Sequence, residues 1–312
     1  MDDSSFQSLA REIAGLNGID QTHHASWGVS TKAVHGYQGR DPQTGSLSFP
    51  LYQTATFAHP ALGESTGFAY SRCGNPTVLE LENTIAQLEG GLKALAFASG
   101  TAAISTFLKQ FRTGDCILAC DDLYGGTYRL FHDVYEDRYG VEFHFIDFTD
   151  IAAVERALAE HPNTKALFIE TPTKPMMHVF DIKALADLAH RNDAILAVDN
   201  TFLTCYFQRP LELGADVVVY SGSKYLCGHN DVICGFLVIK DESLLQGTFM
   251  NYMSEGAALP PFEAWLMLRS LKTLSVRLDR QQENAQAISA FLKNHPHVTD
   301  VYYIGDKDHP RF

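Results

Sequence analysis

The chain has 312 residues, of which 46% are hydrophobic and 20% charged, the composition of an ordinary globular protein with length for one large domain or two. Its net charge of −13 argues against nucleic-acid and anionic-membrane partners, because either would require a basic patch. No apolar run approaches the ~20 residues of a membrane span, and the N-terminus has no secretory signal, so we expect no membrane partner.

Residues 1–60 have weak periodicity and many polar side chains, and we predict an extended N-terminal arm there. In residues 61–256 short apolar runs alternate with helical patterns, which predicts an α/β domain with a mostly parallel sheet and helices on both faces. The predicted strands are "CILAC", "VEFHFID", "KALFIE", "AILAVDN" and "DVVVYS". Asn75, Asp150 and Asp181 are predicted to cap three of the helices.

Residues 257–312 have a different pattern, with a long helical stretch from "PFEAWLMLRSLKTL" to "FLKNHP", followed by the strand-like "VTDVYYIG". One helix and one strand cannot close a second layer alone. We therefore predict the start of a C-terminal α+β domain that is incomplete here, with apolar positions near Trp265 and Leu271 exposed.

The six cysteines are scattered without a C-x-x-C pair, which indicates neither a disulfide framework nor a metal site. Free thiols favour a reducing compartment, so we expect a cytoplasmic protein.

Polar side chains follow three of the predicted strands, where ligands of parallel sheets bind. These residues are Glu170, Asp199 and Lys224. The segment "VVVYSGSKYLCGHND" around Lys224 has three interpretations: a surface lysine, the Tyr-x-x-x-Lys spacing of a short-chain dehydrogenase, or a lysine that holds an aldehyde cofactor beside two serines. No G-x-G-x-x-G follows any early strand, which argues against the dehydrogenase.

Three further segments carry groups suited to a phosphate or a ring. In "ASGTAAISTF", Gly100 and Thr101 open a helix whose amides favour an anion. "AYSRCGNPT" offers a phenol and a guanidinium, Tyr70 and Arg72, which suit a phosphate. "DDLYGGTYRLF" places Tyr124 at a loop–helix junction. Each segment alone also fits a helix cap, a surface pair or a core residue.

Together these segments resemble the trans-sulfuration (Cys/Met metabolism) family of pyridoxal-phosphate enzymes. The matching segments are "PLYQTATF", "YSRCGNPT", "ETPTKP", "DNTF" and "SGSKYLCGHNDV". "LGESTGF", "YGGTYRLF" and "PPFEAWLMLRSLKTL" look most like the cystathionine γ-synthase and O-acetylhomoserine thiol-lyase branch. The resemblance implies fold-type I, with a large domain like that of aspartate aminotransferase.

The resemblance also implies roles for the candidate residues. Lys224 would carry the cofactor as a Schiff base and move protons, Asp199 would keep the pyridine nitrogen protonated, and Tyr124 would stack on the ring. The phosphate would be held by the remaining small residues, Gly100, Thr101, Ser221 and Ser223. In this family the counterparts of Tyr70 and Arg72 reach the phosphate of the neighbouring subunit, which implies a homo-oligomer, usually a dimer of dimers.

The sequence departs from the family pattern in places. Lys174 stands where asparagine usually hydrogen-bonds the cofactor's phenolic oxygen, Cys205 stands where proline is common, and Ser-Gly-Thr replaces Ser-Gly-Met. The serine-leucine-glycine loop and the arginine that binds the substrate carboxylate are not found. Without that clamp we expect cofactor binding to exceed catalysis.

We therefore expect an enzyme that catalyses γ-replacement on O-acyl-homoserine with cysteine or another thiol. A cystathionine β- or γ-lyase is the alternative within the family, and an impaired, cofactor-binding protein is the alternative outside enzymes.

Overall fold

The centre of the molecule is a seven-stranded sheet; the computed structural model describes residues 24–307 and 309. Its strands are β1 (Lys93–Phe97), β2 (Cys116–Cys120), β3 (Glu142–Ile146), β4 (Thr164–Glu170), β5 (Ile195–Asp199), β6 (Val217–Tyr220) and β7 (Gly235–Ile239). Their order across the sheet is β1-β7-β6-β5-β4-β2-β3. Strand β7 is antiparallel to both neighbours and the remaining pairs are parallel, which confirms the predicted α/β fold.

Helices alternate with these strands. They are α1 (Val29–His35), α2 (Pro76–Glu89), α3 (Gly100–Leu108), α4 (Gly125–Arg129), a π-helix (Leu130–Glu136), α5 (Asp137–Tyr139), α6 (Ile151–Glu160), α7 (Ile182–Arg191), α8 (Thr204–Phe207), a 3-10 helix (Pro210–Leu213), α9 (Glu242–Glu255), α10 (Pro261–Leu271) and α11 (Leu274–Lys293). The side chains of Asn75, Asp150 and Asp181 each accept a hydrogen bond from a first-turn amide at 2.9–3.0 Å. The three predicted caps are confirmed.

Two of the strands, β1 and β7, lie outside the five that the sequence predicted. Both are completely buried, as is β2. The run "KALAF" of β1 is short and alanine-rich, and periodicity alone does not distinguish such a run from a buried helix segment. In the fold, β7 lies between β1 and β6 and pairs with both. The chain therefore returns to the sheet directly after the loop that contains Lys224.

The register of the sheet aligns the residues that matter for function. Glu170, the last residue of β4, lies opposite Asp199, the last residue of β5, and Asp199 lies opposite Val219 of β6. Because these three strands are parallel, their carboxyl ends share one edge. The loops that follow them bring the polar residues of the candidate site together.

Three expectations for the two ends of the chain were wrong. Residues 29–35 of the proposed arm form a helix, α1, and no strand forms over the described part of "VTDVYYIG". The stretch predicted as one long helix forms two helices, α10 and α11. They are separated where the amide of Thr273 donates to the carbonyl of Ser270 at 3.2 Å, a bond between residues three apart as in a 3-10 turn.

The expected exposure near Trp265 and Leu271 was also wrong. Leu271 is fully buried, and the indole N–H of the half-buried Trp265 donates to the carbonyl of Phe49 at 3.1 Å. Helix α10 packs against α2, so elements that precede it in the chain cover its apolar face. The division at residues 60 and 256 stays a prediction.

Candidate active site

Two buried carboxyl groups meet at the carboxyl edge of the sheet. Glu170 and Asp199 are each 8% exposed and lie side by side on β4 and β5. Burial, with the negative charge of Asp199, raises the pKa of Glu170 to about 8. Burial also raises the pKa of Asp199, which hydrogen bonds from Thr201 lower in part. Among the described residues neither carboxyl group forms an ion pair, so the two acids favour a cation arriving between the strand ends.

Thr201 connects Asp199 to the loop that carries the lysine. Its amide donates to Asp199 Oδ1 at 3.0 Å, and its hydroxyl oxygen accepts a hydrogen bond from the amide of Ser221 at 2.8 Å. In turn, the carbonyl of Ser221 accepts a hydrogen bond from the amide of Lys224 at 3.2 Å. Thr201 was missed as a site residue; its position two residues after Asp199 in "DNTF" is the local signal that could have indicated it.

The start of α3 lies directly against this loop. A Cβ added at Gly100 would lie 3.0 Å from both the Cα and the Cβ of Ser221, so a side chain at Gly100 would push the two segments apart. The side chain of Ser99 caps the helix by accepting from the amide of Ala102 at 3.1 Å. The amides of Gly100 and Thr101 belong to the first turn, which intrahelical bonds leave unsatisfied. This cradle fits a phosphate.

Lys224 is exposed in the loop between β6 and β7, and its charge lowers the pKa of Cys234, which burial raises overall. The neighbouring Ser223 is tied to the start of β7: its hydroxyl donates to the carbonyl of Cys234 at 3.2 Å and accepts from the amide of Cys234 at 2.9 Å. To donate to a phosphate, Ser223 must release that carbonyl, whereas Ser221 keeps its side chain clear of these bonds.

Tyr124 and Lys174 complete the group on the side of Glu170. The amide of Tyr124 donates to Glu170 Oε2 at 2.9 Å, which fixes the start of α4 at the strand end. The phenol ring is 46% exposed, and Lys174 Nζ lies 5.1 Å from its centroid. Glu170 therefore has a second function that the sequence did not predict, because it positions Tyr124 as well as facing Asp199.

Tyr70 and Arg72 form a separate pair. The Arg72 guanidinium carbon lies 5.4 Å from the centroid of the Tyr70 ring, and the guanidinium donates a hydrogen bond to the carbonyl of Met253 in α9. Both side chains are exposed. Among the described residues, neither Tyr70 nor Arg72 takes part in the contacts that link the Lys224 loop to Asp199, or in those that link Glu170 to Tyr124 and Lys174.

Comparisons with known proteins agree with this geometry. The family described as Cys/Met metabolism PLP-dependent enzyme matches residues 30–312. The chain is 46% identical over 277 residues to the cystathionine gamma-synthase/O-acetylhomoserine (thiol)-lyase of Bacillus subtilis (strain 168), covering 89% of this chain and 74% of that protein. It is 43% identical over 280 residues to the cystathionine gamma-lyase of the same organism, covering 90% and 73%.

A solved structure, the cystathionine gamma-lyase from Lactobacillus plantarum complexed with L-serine, superposes with a TM-score of 0.88 at 43% identity, covering 91% of this chain and 74% of that one. The chain belongs to the Cys/Met metabolism family of pyridoxal-phosphate-dependent enzymes. It is thus a fold-type I trans-sulfuration enzyme with pyridoxal phosphate as cofactor, and its relatives include both synthases and lyases. The comparisons give no support to the alternative of an impaired protein.

In the described part of the chain, no helix combines the length and the apolarity that crossing a membrane requires.

Proposed function

We propose that this enzyme catalyses γ-replacement, in which cysteine or another thiol displaces the acyl group of an O-acyl-homoserine. The observation that carries a pyridoxal-phosphate reaction is the buried acid pair, Glu170 and Asp199, linked through Thr201 to the loop of Lys224. The choice of replacement rests on the 46% identity to a relative named for that reaction. We assign the candidate residues to the two ends of the cofactor, the ring nitrogen and the phosphate.

When bound, pyridoxal phosphate supplies an electron sink for the electrons left on a substrate carbon after it loses a proton. The carboxylate of Asp199 would hold a proton on the pyridine nitrogen, since a cation there would offset the cost of burying its negative charge. Lys224 would provide the amine that attaches the cofactor, and its Nζ would move protons between the substrate carbons. The exposed side chain of Tyr124 would pack against the cofactor ring.

The phosphate is assigned to the cradle where α3 meets the lysine loop. Gly100 and Thr101 would donate through their amides, and Ser221 would donate through its hydroxyl, all at the positive end of the helix dipole. Ser223 would join them once its hydroxyl leaves the carbonyl of Cys234.

We assign Tyr70 and Arg72 to the phosphate of a neighbouring subunit, in a homo-oligomer that is a dimer of dimers. Their exposure and their place outside the contacts around Lys224 support this assignment. We also propose a cytoplasmic location, which fits six cysteines that form no disulfide with one another.

Subunit complementation tests the shared site. Co-expressed Lys224→Ala and Arg72→Ala chains, each inactive alone, should recover a fraction of wild-type activity, because a mixed dimer contains one site with both residues intact. Two Lys224→Ala chains with different affinity tags provide the control, since no mixed pair of these has an intact site. Lack of recovery in isolated mixed dimers would contradict the assignment.

The elimination alternative, a cystathionine β- or γ-lyase, is favoured by a specific observation. The relative named cystathionine gamma-lyase is 43% identical, close to the identity of the synthase relative. The two reactions share Lys224 and Asp199 and differ in whether a thiol adds to the activated substrate.

An assay of both reactions on one preparation decides between them. The holoenzyme receives O-acetyl- or O-succinylhomoserine with cysteine, and in parallel receives cystathionine alone. We expect cystathionine from the first mixture and slower keto-acid release from the second. Faster elimination from cystathionine would establish the lyase instead, and a cofactor-loaded wild type equal to Lys224→Ala in both assays would overturn both reactions.

A further inference from the structure

Three potential metal ligands meet at the end of the sheet opposite the candidate active site. Cys116 is the first residue of β2, His144 lies in β3, and His161 directly follows α6, before β4. One ligand atom from each residue lies within 4.8 Å of those of the other two. The two imidazole rings are stacked, with centroids 3.6 Å apart. Cys116 is fully buried, whereas both histidines are half-buried and reachable from solvent.

Neighbouring side chains hold this group in place. The Thr164 hydroxyl lies 3.6 Å from the sulfur of Cys116 and 2.7 Å from the carbonyl of His161, so it can donate to either. Such outer contacts orient metal ligands in known sites. Glu142 lies opposite Cys116 across the β2–β3 ladder, and its carboxylate accepts from the Asn163 amide group at 3.3 Å. That negative charge beside the thiol favours a cation.

The ligand types select the metal. One thiolate and two imidazoles suit the borderline-soft Zn²⁺, which binds sulfur at about 2.3 Å and nitrogen at about 2.0–2.1 Å with tetrahedral geometry. Tetrahedral ligands at those lengths lie about 3.3–3.6 Å from one another. Closing the three groups on an ion therefore requires side-chain shifts of roughly 1 Å and a rotation of the two stacked rings, so that their nitrogen lone pairs converge. A fourth position is left to water on the exposed side of the two histidines.

We propose that Cys116, His144 and His161 bind a zinc ion that clips β2, β3 and the approach to β4 together. The site lies towards the amino ends of the parallel strands, away from the acid pair. The ion therefore stabilises the β3 edge of the sheet and takes no part in the reaction at the candidate active site. Sequence spacing gave no signal for it, because the three ligands come from separate elements that only the sheet register brings together.

Cobalt titration of the chelator-treated holoenzyme tests the site, since a cobalt–thiolate bond produces an absorption band that oxygen and nitrogen ligands do not. We expect one Co²⁺ per chain, displaced by Zn²⁺. The thiolate band should be lost in Cys116→Ser, and metal affinity should fall at least ~10-fold in His144→Gln and His161→Gln. Cys73→Ser and His132→Gln, which change a cysteine and a histidine outside the group, should bind like wild type.

The two histidine variants keep the test valid if the buried Cys116→Ser chain fails to fold, because both positions are half-buried and glutamine is close in size to histidine. Bound cofactor, read from its own absorbance, verifies folding in every variant. A wild type without the thiolate band, or histidine variants that bind cobalt as tightly as His132→Gln, would overturn the proposal.

Discussion

Two of the places where the described residues bury carboxylates solve the problem of charge in opposite ways. Glu82 of α2 has Lys93 Nζ 3.0 Å from its Oε2, with both side chains at most 8% exposed, and its other oxygen accepts from the amide of Ala96 at 2.9 Å. Glu170 and Asp199 face each other instead, and among the described residues neither has an ion-pair partner. The first site contains its own counter-ion, whereas the second limits its charge by keeping a proton on Glu170, whose pKa is raised to about 8.

The same contrast separates two lysines. Lys93 is 1% exposed and paired, whereas Lys224 is exposed on a loop that reaches Asp199 through Ser221 and Thr201. A buried cation that neutralises a carboxylate stabilises the fold. An exposed amine on a loop that is hydrogen-bonded to an acid pair is available for chemistry. Substituting each charged group should therefore affect either stability or turnover, according to its surroundings.

The largest effect is expected at Lys224. Lys224→Ala should lower kcat by at least about 10³-fold, because it removes both the covalent attachment point and the proton-transferring group. Borohydride reduction of wild-type holoenzyme, followed by peptide mapping, should place the pyridoxyl group on this residue. Lys174→Ala serves as the control. A pyridoxyl group on Lys174 or Lys93 would mean that the loop after β6 has another function.

Asp199→Asn should reduce turnover by about 10²–10⁴-fold while leaving part of the cofactor binding intact, because an amide cannot keep the pyridine nitrogen protonated. Exchange of the substrate α-proton with solvent deuterium, followed by NMR, measures the affected step directly. Glu170→Gln is the matched control: it changes the partner acid, keeps an acceptor for the amide of Tyr124 and should retain far more exchange. Equal losses in the two variants would make Asp199 a structural residue.

Lys93→Met should affect stability and leave the chemistry unchanged. Removing one partner of a buried ion pair typically lowers the free energy of unfolding by about 3–5 kcal/mol. The double variant Glu82→Gln/Lys93→Met should recover much of that loss, because no buried charge is left unpaired. Urea denaturation of the three chains measures the effect, and turnover per folded molecule should match wild type. A strong loss of turnover in the folded double variant would contradict a purely structural pair.

The sequence predicted the acid at the end of β5 and the lysine after β6, because polar residues directly follow strongly apolar runs there. It also predicted three caps from single residues. It did not predict how Thr201 links Asp199 to Ser221, which depends on the pairing of β5 with β6, nor that Ser223 is tied to Cys234, which depends on where β7 enters the sheet. The meeting of His144 with His161 depends likewise on the register of β3 against β2, which no local pattern encodes.

The acid pair should also give the cofactor-free protein a distinctive pH dependence. The folded pKa of Glu170, about 8, is raised from an ordinary 4.5, so the folded chain holds a proton that the unfolded chain releases. The free energy of unfolding should therefore decrease as pH rises from about 4.5 towards 8. Glu170→Gln should flatten this decrease, measured by urea denaturation at several pH values, whereas the exposed Glu160→Gln should not. Parallel curves for all three proteins would show that Glu170 titrates normally.

The smallest effect is expected at Lys174. Its ammonium lies 5.1 Å from the centroid of the Tyr124 ring, and its charge lowers the pKa of Glu170 in part. If Tyr124 stacks on the cofactor, this ammonium also repels a proton on the nitrogen that joins the cofactor to Lys224. Lys174→Asn should then raise the pH midpoint of the cofactor's absorbance change and weaken cofactor binding by about 2–5-fold, the value of an exposed cation–π contact. Lys165→Asn, a change at the exposed position of β4, the strand that precedes Lys174, is the control. Identical absorbance titrations for wild type and Lys174→Asn would place the ammonium outside the electrostatic reach of the cofactor, and its contact with Tyr124 would then serve only to position the ring.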